Sequence, residues 1–131
     1  MTNNFEPGQQ LPELNVTPDR YVTVRYAGAS GDFNPIHIDE EFAKQVGLPG
    51  RILHGLWTMA QVARAHTEAA GGPHALKRLS VGFRGMGLLE QEITVSAKVS
   101  SIDDDGTVHV DSEATQNGTA IVRRGDADLR L

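Results

Sequence analysis

An α+β domain is the fold class this sequence predicts, and three observations predict it. Segments with helical periodicity come first, between about residues 17 and 70. Segments with period-two alternation follow, from Leu79 to Leu129. Between them runs one helical stretch, Gly55 to Ala70, that is apolar on most sides and is therefore expected to be buried. Helices first and strands afterwards belong to an α+β domain with an antiparallel sheet, not to a parallel α/β one. The 131 residues suit a single domain, expected to span 1–131.

The first dozen residues are polar, hold Pro7, Gly8 and Pro12, and read as an extended lead-in with an edge strand near Leu14–Val16. Thr17-Pro18-Asp19 reads as a helix start: Thr17 can accept from an orphan amide, Pro18 fits the first helical position, and Asp19 opposes the positive dipole end. Tyr21, Val22, Val24, Arg25 and Ala29 then recur at helical spacing up to Gly31. Pro35 excludes a regular helix over Asp32–His37. Asp39-Glu40-Glu41 opens a short helix through Val46, and Gly47, Pro49 and Gly50 end it. Those three acids answer the helix dipole and need no further role. Leu56, Met59, Ala60, Val62 and Ala63 fill the long helix, which stops at Gly71-Gly72-Pro73. Leu79, Val81 and Phe83 alternate with polar or small residues, and so do Ile93, Val95, Ala97 and Val99. Asp103-Asp104-Asp105-Gly106 is a turn, Asn117-Gly118 is a hairpin signal, and a last strand is expected near Ala120–Leu129. One long buried helix wrapped by a curved antiparallel sheet, with a loop and short helices before it, is the hotdog arrangement.

Composition narrows the function. There is no cysteine, so disulfides and thiolate chemistry are excluded. The net charge of −5, from 12 basic and 17 acidic residues, argues against nucleic acid or a membrane surface as partner. No apolar run approaches the ~20 residues of a membrane helix. The start, MTNNFEPGQQ, has neither a basic region nor an apolar stretch, and a cytoplasmic location is expected.

The segment Gly31-Asp32-Phe33-Asn34-Pro35-Ile36-His37 carries the chemistry. Asp32 and His37 stand five residues apart on a loop that Pro35 stiffens by fixing its φ. Asn34 can bond its own backbone and tighten the turn. A carboxylate and an imidazole held on a rigid loop can act as a general acid/base pair. On spacing alone, an Asx turn beside a surface histidine explains the same residues.

The longer run Tyr26-Ala27-Gly28-Ala29-Ser30-Gly31-Asp32-Phe33-Asn34-Pro35-Ile36-His37, followed by Asp39 and Ala43, resembles the signature of the MaoC-like (R)-specific enoyl hydratases and (3R)-hydroxyacyl thioester dehydratases. The resemblance extends to Leu53-His54-Gly55 and covers about residues 17–65. It is similar to the small single-hotdog dehydratase subunits of bacterial fatty-acid synthesis. The resemblance implies reversible hydration of trans-2-enoyl thioesters, of coenzyme A or acyl-carrier protein, to (3R)-3-hydroxyacyl thioesters, with no cofactor and no metal. Asp32 and His37 would be the catalytic pair on one water, one activating it and the other supplying the proton at C2. Asn34 would orient the aspartate or its loop. The Gly55 amide would polarise the thioester carbonyl. That last role has its own physical ground, because a helix N-terminus offers unpaired N–H groups and a positive dipole end. Glycine there also lets the backbone approach closely.

Two places depart from the family pattern. Trp57 stands where smaller side chains are common, and either narrows an acyl tunnel or fills core. The stretch GFRGMGLLEQ, residues 82–91, lacks a Pro-Gly-Asp turn. Among other candidates, His54 reads as a helix-capping or buried hydrogen-bonded residue rather than a catalytic one, or else as a substrate contact. His66, His74 and His109 lack metal-ligand spacing and read as surface. Asp103–Asp105 lacks the later glutamate of a calcium loop and reads as a solvated turn. Arg78 and Arg84 lie on a polar strand face near the expected cleft, and either meet the phosphates of the carrier arm or face solvent. Arg123-Arg124 is too short for a basic patch.

Two rival functions follow from the same fold. A hotdog thioesterase would place its carboxylate on or near the long helix, but Glu68, the only one there, lies far from the helix start. A non-catalytic acyl-binding partner subunit would have no need of both Asp32 and His37. An exposed edge strand is a liability. A dimer is therefore expected, a homodimer or a heterodimer with a related hotdog subunit, with sheets paired edge to edge and the acyl channel at the boundary.

Overall fold

Strands β1 (Leu14–Val16), β2 (Leu76–Phe83), β3 (Ile93–Ile102), β4 (Val108–Gln116) and β5 (Thr119–Leu129) form one antiparallel sheet in the order β1-β3-β4-β5-β2. Helices α1 (Val22–Ser30), α2 (Pro35–Ile38), α3 (Glu40–Gln45) and α4 (Gly55–Ala70) lie between β1 and β2 in sequence. The structure is a computed structural model and describes residues 4–131, so the first three residues of the expected lead-in lie outside the described residues. The architecture is the expected α+β hotdog: antiparallel strands around α4.

The sheet's curvature and register have local causes. Asn117 and Gly118 both take positive φ, 53° and 75°, which is the backbone of a type I′ turn and closes β4 onto β5. Arg124, at φ 52°, sits in a break of register in which Ser112 opposes Gly125 but Ala114 opposes Val122. Such a bulge bends and twists the strand. Inward-facing Ile93, Val95, Ala97 and Val99 of β3 and Val108, Val110 and Ala114 of β4 alternate along the strands, as one buried face requires. From α4, Thr58, Val62, Ala65, His66 and Ala70 face the sheet at helical spacing. Gly71, in the left-handed conformation, ends the helix, its amide bonding Thr67 O.

The two sheet edges differ. Beyond β1, the segment Gly8–Leu11 covers β3, through Gly8 N–H to Val99 O (2.8 Å), Val99 N–H to Gln9 O (2.9 Å) and Leu11 N–H to Ala97 O (2.9 Å). On its other side β2 has no neighbouring strand among the described residues.

Several sequence expectations are corrected. The first helix begins at Val22, not at Thr17-Pro18. Asp19 turns its side chain onto the Tyr21 amide (2.7 Å) and Arg25, and the Pro18 carbonyl accepts from Glu90 N–H (2.7 Å), so Thr17-Pro18 stays outside the helix. Residues 35–38 form a helical turn after all, because Pro35 stands at its first position, where a proline fits. Asn34 caps that turn by accepting from Ile36 N–H (3.2 Å). The long helix is buried on one face only, and Leu56 at its start is 61% exposed. His66 is not a surface residue but is fully buried, four residues after Val62 on the same helix face. Its Nδ1–H donates to Val62 O (2.7 Å), its Nε2 has no partner among the described residues, and burial pushes its pKa below the ordinary histidine value. His74 is exposed, and His109 is half-buried in an ion-pair network. Arg78 is about half exposed and ion-paired within the sheet. Asp128 and Asp126 hold its guanidinium at 2.9 and 2.8 Å.

Candidate active site

The Gly31–His37 loop is built by a relay of short side chains. Gly31, at φ 79°, ends α1 with its amide on Ala27 O, a conformation that favours glycine. Ser30 donates its hydroxyl to Tyr26 O (2.7 Å) and accepts from Asp32 N–H (3.1 Å). Asp32 Oδ1 then accepts from Asn34 N–H (3.2 Å). Asn34 thus orients the loop through its amide and caps α2 with its side chain. The result leaves the Asp32 carboxylate about half exposed and His37 buried at the helix end.

His37 has a defined tautomer. Its Nδ1 lies 2.8 Å from the carbonyl oxygen of Ile52 and must donate to it, because a carbonyl only accepts. In the neutral ring the lone pair is therefore on Nε2, which faces Asp32 Oδ2 at 3.9 Å. That gap is too long for a hydrogen bond, yet one water at about 2.8 Å from each atom spans it. Ile52 is itself held, its N–H donating to Ile36 O (3.1 Å).

His54 braces this pair. Its ring stacks on His37 with centroids 3.8 Å apart and lies 4.6 Å from the Tyr26 ring. Its Nε2–H donates to the Asp32 carbonyl (3.0 Å), and it makes no side-chain cap to α4. Between the capping and the buried hydrogen-bonded roles, the structure shows the second. Its Nδ1 is buried without a partner among the described residues. Asp32, His37 and His54 each offer an atom within 4.8 Å of the others. The geometry is poor for one cation: stacked rings aim their lone pairs in near-parallel planes, and His37 Nδ1 and His54 Nε2 already serve carbonyls.

Gly55 opens α4 immediately after His54. The amides of Gly55 and Leu56 have no protein partner among the described residues, so the helix presents free donors and its positive dipole end there. A side chain at 55 would put its Cβ 3.2 Å from the Phe83 ring, so the glycine here answers a close approach of β2. Trp57 is half-buried, packs against the core that includes Val22, Leu53 and Val62, and lines a hollow of about 270 Å³ with Val22, Arg25, Tyr26 and Ala29. It therefore packs toward α1. Arg84 is exposed just past β2, its guanidinium beside Gly82.

One residue at the site has no signal in the motif. Gln116, buried at the end of β4, bonds Leu88 and Gln91 through its side chain. The sequence cue was a polar residue in the inward phase of an otherwise apolar strand.

Fold and loop together define a hotdog domain with an aspartate–histidine pair at the start of its central helix. The chain belongs to the MaoC-like dehydratase family, whose domain model matches residues 4–120. It is 46% identical over 56 residues to the peroxisomal enoyl-CoA hydratase 2 of Arabidopsis thaliana, a match covering 41% of this chain and 18% of that protein. It superposes with a TM-score of 0.90 on a solved MaoC-like dehydratase, at 32% identity, covering 99% of this chain and 42% of that one. With the (R)-hydratase of A. caviae involved in PHA biosynthesis it shares the fold, with a TM-score of 0.88 at 22% identity and 98% of each chain covered. The chain spans less than a fifth of the length of the curated relatives it matches.

Proposed function

We propose that the chain catalyses reversible hydration of trans-2-enoyl thioesters to (3R)-3-hydroxyacyl thioesters. The observation that carries this reading is the open Asp32–His37 pair, 3.9 Å apart, beside the free amide end of α4. One member takes a proton from the bridging water as its oxygen bonds to C3; the other, which must enter the step protonated, delivers its proton to C2, and the proton taken from water then passes between the two to restore the pair. The Gly55 amide receives the enolate oxygen formed between those events, where a donor aimed at developing charge is most effective. In dehydration the two members exchange roles. Asn34 and His54 hold the pair in place, and the substrate is a thioester of coenzyme A or of an acyl-carrier protein.

A thioesterase is less well supported. Glu68 is bound to Arg64 (2.6 Å) and stands more than three turns from Gly55. A purely supporting subunit leaves the paired geometry of Asp32 and His37 without a purpose.

The site is proposed to be completed by a second hotdog subunit, identical or related. Among the described residues the outer edge of β2 pairs with no strand, and such an edge is a template for another chain. Around the pair, Phe33, Leu56 and Phe83 are 57%, 61% and 47% exposed. Each feature suits an acyl channel closed by a neighbour.

The test is loss of enoyl absorbance with crotonyl-coenzyme A, repeated with longer enoyl chains and with chiral analysis of the product. An R product formed without added metal is expected. An S product, or activity that vanishes with a chelator and returns with zinc, overturns the proposal. Light scattering checks the assembly: a fully active monomer excludes the completed-site reading.

A further inference from the structure

The loop between β2 and β3, residues 84–92, contains no helix or strand, yet the site leans on it. Gly87 O accepts from Leu53 N–H (2.8 Å), and Ile52 bridges to Leu88. Ile52 and Leu53 stand directly before His54 and Gly55, and Ile52 O is the acceptor that sets the His37 tautomer. Whatever fixes residues 87 and 88 therefore fixes both the imidazole and the first amide of α4.

What fixes them is one side chain from the far end of the sequence. The Gln116 carboxamide accepts from Leu88 N–H at 2.8 Å and donates to Leu88 O at 2.8 Å. Its second N–H donates to Gln91 O at 2.9 Å. The side chain is 5% exposed, so water does not replace these bonds cheaply. With both N–H groups and the oxygen engaged, the amide acts as a one-residue strand that pairs with Leu88. The neighbouring Asn117 side chain adds a bond to the Gln91 carboxamide oxygen.

We propose that Gln116 is a positioning residue for hydration: it clamps residues 88–91 as the platform for Ile52–Gly55, and so orients Nε2 of His37 and the Gly55 amide. The inference rests on the hydration reading for its kinetics but not for its geometry. In metal sites, the comparable removal of an outer partner that orients a reactive imidazole typically costs about 10–100-fold.

The test uses Gln116→Met, which keeps size and loses all three bonds, and Gln116→Glu, which keeps the acceptor and loses the donors. Activity is normalised to the folded fraction by circular dichroism. We expect kcat to fall about 10–100-fold in Gln116→Met with KM nearly unchanged. The Nδ1 proton of His37, followed by nitrogen-resolved NMR, is expected to lose its protection from exchange. In Gln116→Glu the ratio of variant to wild-type kcat is expected to rise as pH falls, because a protonated glutamate regains one donor. Wild-type kcat per folded molecule together with an unchanged His37 Nδ1 proton overturns the proposal. If the wild type itself lacks hydratase activity, the hydration reading fails, while the NMR arm still decides whether Gln116 holds His37. If Gln116→Met does not fold, the pH ratio and the NMR signal of Gln116→Glu decide alone, and a flat ratio with an unmoved signal overturns it.

Discussion

Two imidazole–carboxylate clusters in this chain use the same groups to opposite ends. In the first, His109 of β4 bonds Asp128 through Nδ1 (2.7 Å) and Asp103 through Nε2 (2.8 Å), and Arg78 binds Asp128 and Asp126 in turn. An imidazole with an acceptor on each nitrogen must carry both protons, and the two carboxylates, Asp103 foremost, raise its pKa. The guanidinium of Arg78 holds Asp128 below the usual carboxylate range. Every charge there is answered. In the second cluster, His37 spends one nitrogen on a carbonyl and leaves the other 3.9 Å from a carboxylate that has no ion pair with Arg or Lys among the described residues. The first arrangement ties strands β2, β4 and β5 and the β3–β4 turn together. The second leaves His37 Nε2 and the Asp32 carboxylate with hydrogen-bonding capacity that the proposed hydration would use on a water. On the proposed reading, hydrogen-bonding capacity left open, and not closeness of the partners, marks the reactive pair.

The largest expected effect tests that contrast directly. Asp32→Asn and His37→Ala should each lower kcat by about 10²–10⁴-fold, the usual worth of a general acid or base. The double variant should fall little further, because both residues act on one water. Asp103→Asn and Asp128→Asn should leave turnover of enoyl thioester unchanged. If the outer pair proved essential and the inner pair dispensable, the contrast would be inverted.

A smaller effect is expected in stability. His109→Gln removes the staple between the β3–β4 turn and β5, and it should lower Tm by a few degrees, as exposed ion pairs contribute modestly. Raising the salt concentration should shrink the difference between wild type and variant, since exposed charges are screened within about a Debye length of ~10 Å at 0.1 M. Activity at a temperature where both are folded should be equal. A variant as stable as wild type at low salt would show the staple to be idle.

The two clusters also differ in how far the sequence reveals them. Asp32, Asn34 and His37 are readable because the loop is local: each bond runs over two residues, and Pro35 and Gly31 mark its ends. The sheet was equally plain, from alternation and from Asn117-Gly118. The partners that complete the site are not local. Ile52 reaches His37 across 15 residues and His54 reaches Asp32 across 22. Gln116 and Leu88 are 28 apart. The His109 network spans 50 residues between Arg78 and Asp128, so the sequence reads its histidine as surface and leaves its arginine between a phosphate contact and solvent. The start of α1 differs from the sequence expectation for a related reason: Asp19 has the composition of a helix start, but its carboxylate is drawn to Arg25 and the Tyr21 amide. His66 carried a local signal, its spacing of four from Val62, which outweighs the polarity of the side chain.

The smallest and most specific expectation is the pH dependence of the staple. The folded pKa of His109 is raised above the ordinary 6.5, so its contribution is fully present below that value and is lost as pH rises through the folded one. Asp128 is lowered from 3.8, so its share is present above that value and is lost as pH falls through the folded one. His66 acts in the reverse sense to His109. Its pKa is lowered by burial, so its neutral form favours the fold above 6.5, and that advantage is lost as pH falls toward the folded value. Wild-type stability mixes these trends, but the difference in Tm between wild type and His109→Gln isolates the staple, because His66 and the core are common to both. That difference should be largest between the carboxylate range and 6.5, and should vanish as pH climbs through the raised value of His109. Thermal melts of both proteins at matched ionic strength measure it. A difference that stays constant across this range would mean that Asp103 and Asp128 do not hold a charged ring at all, and the outer cluster would then be as uncommitted as the inner one.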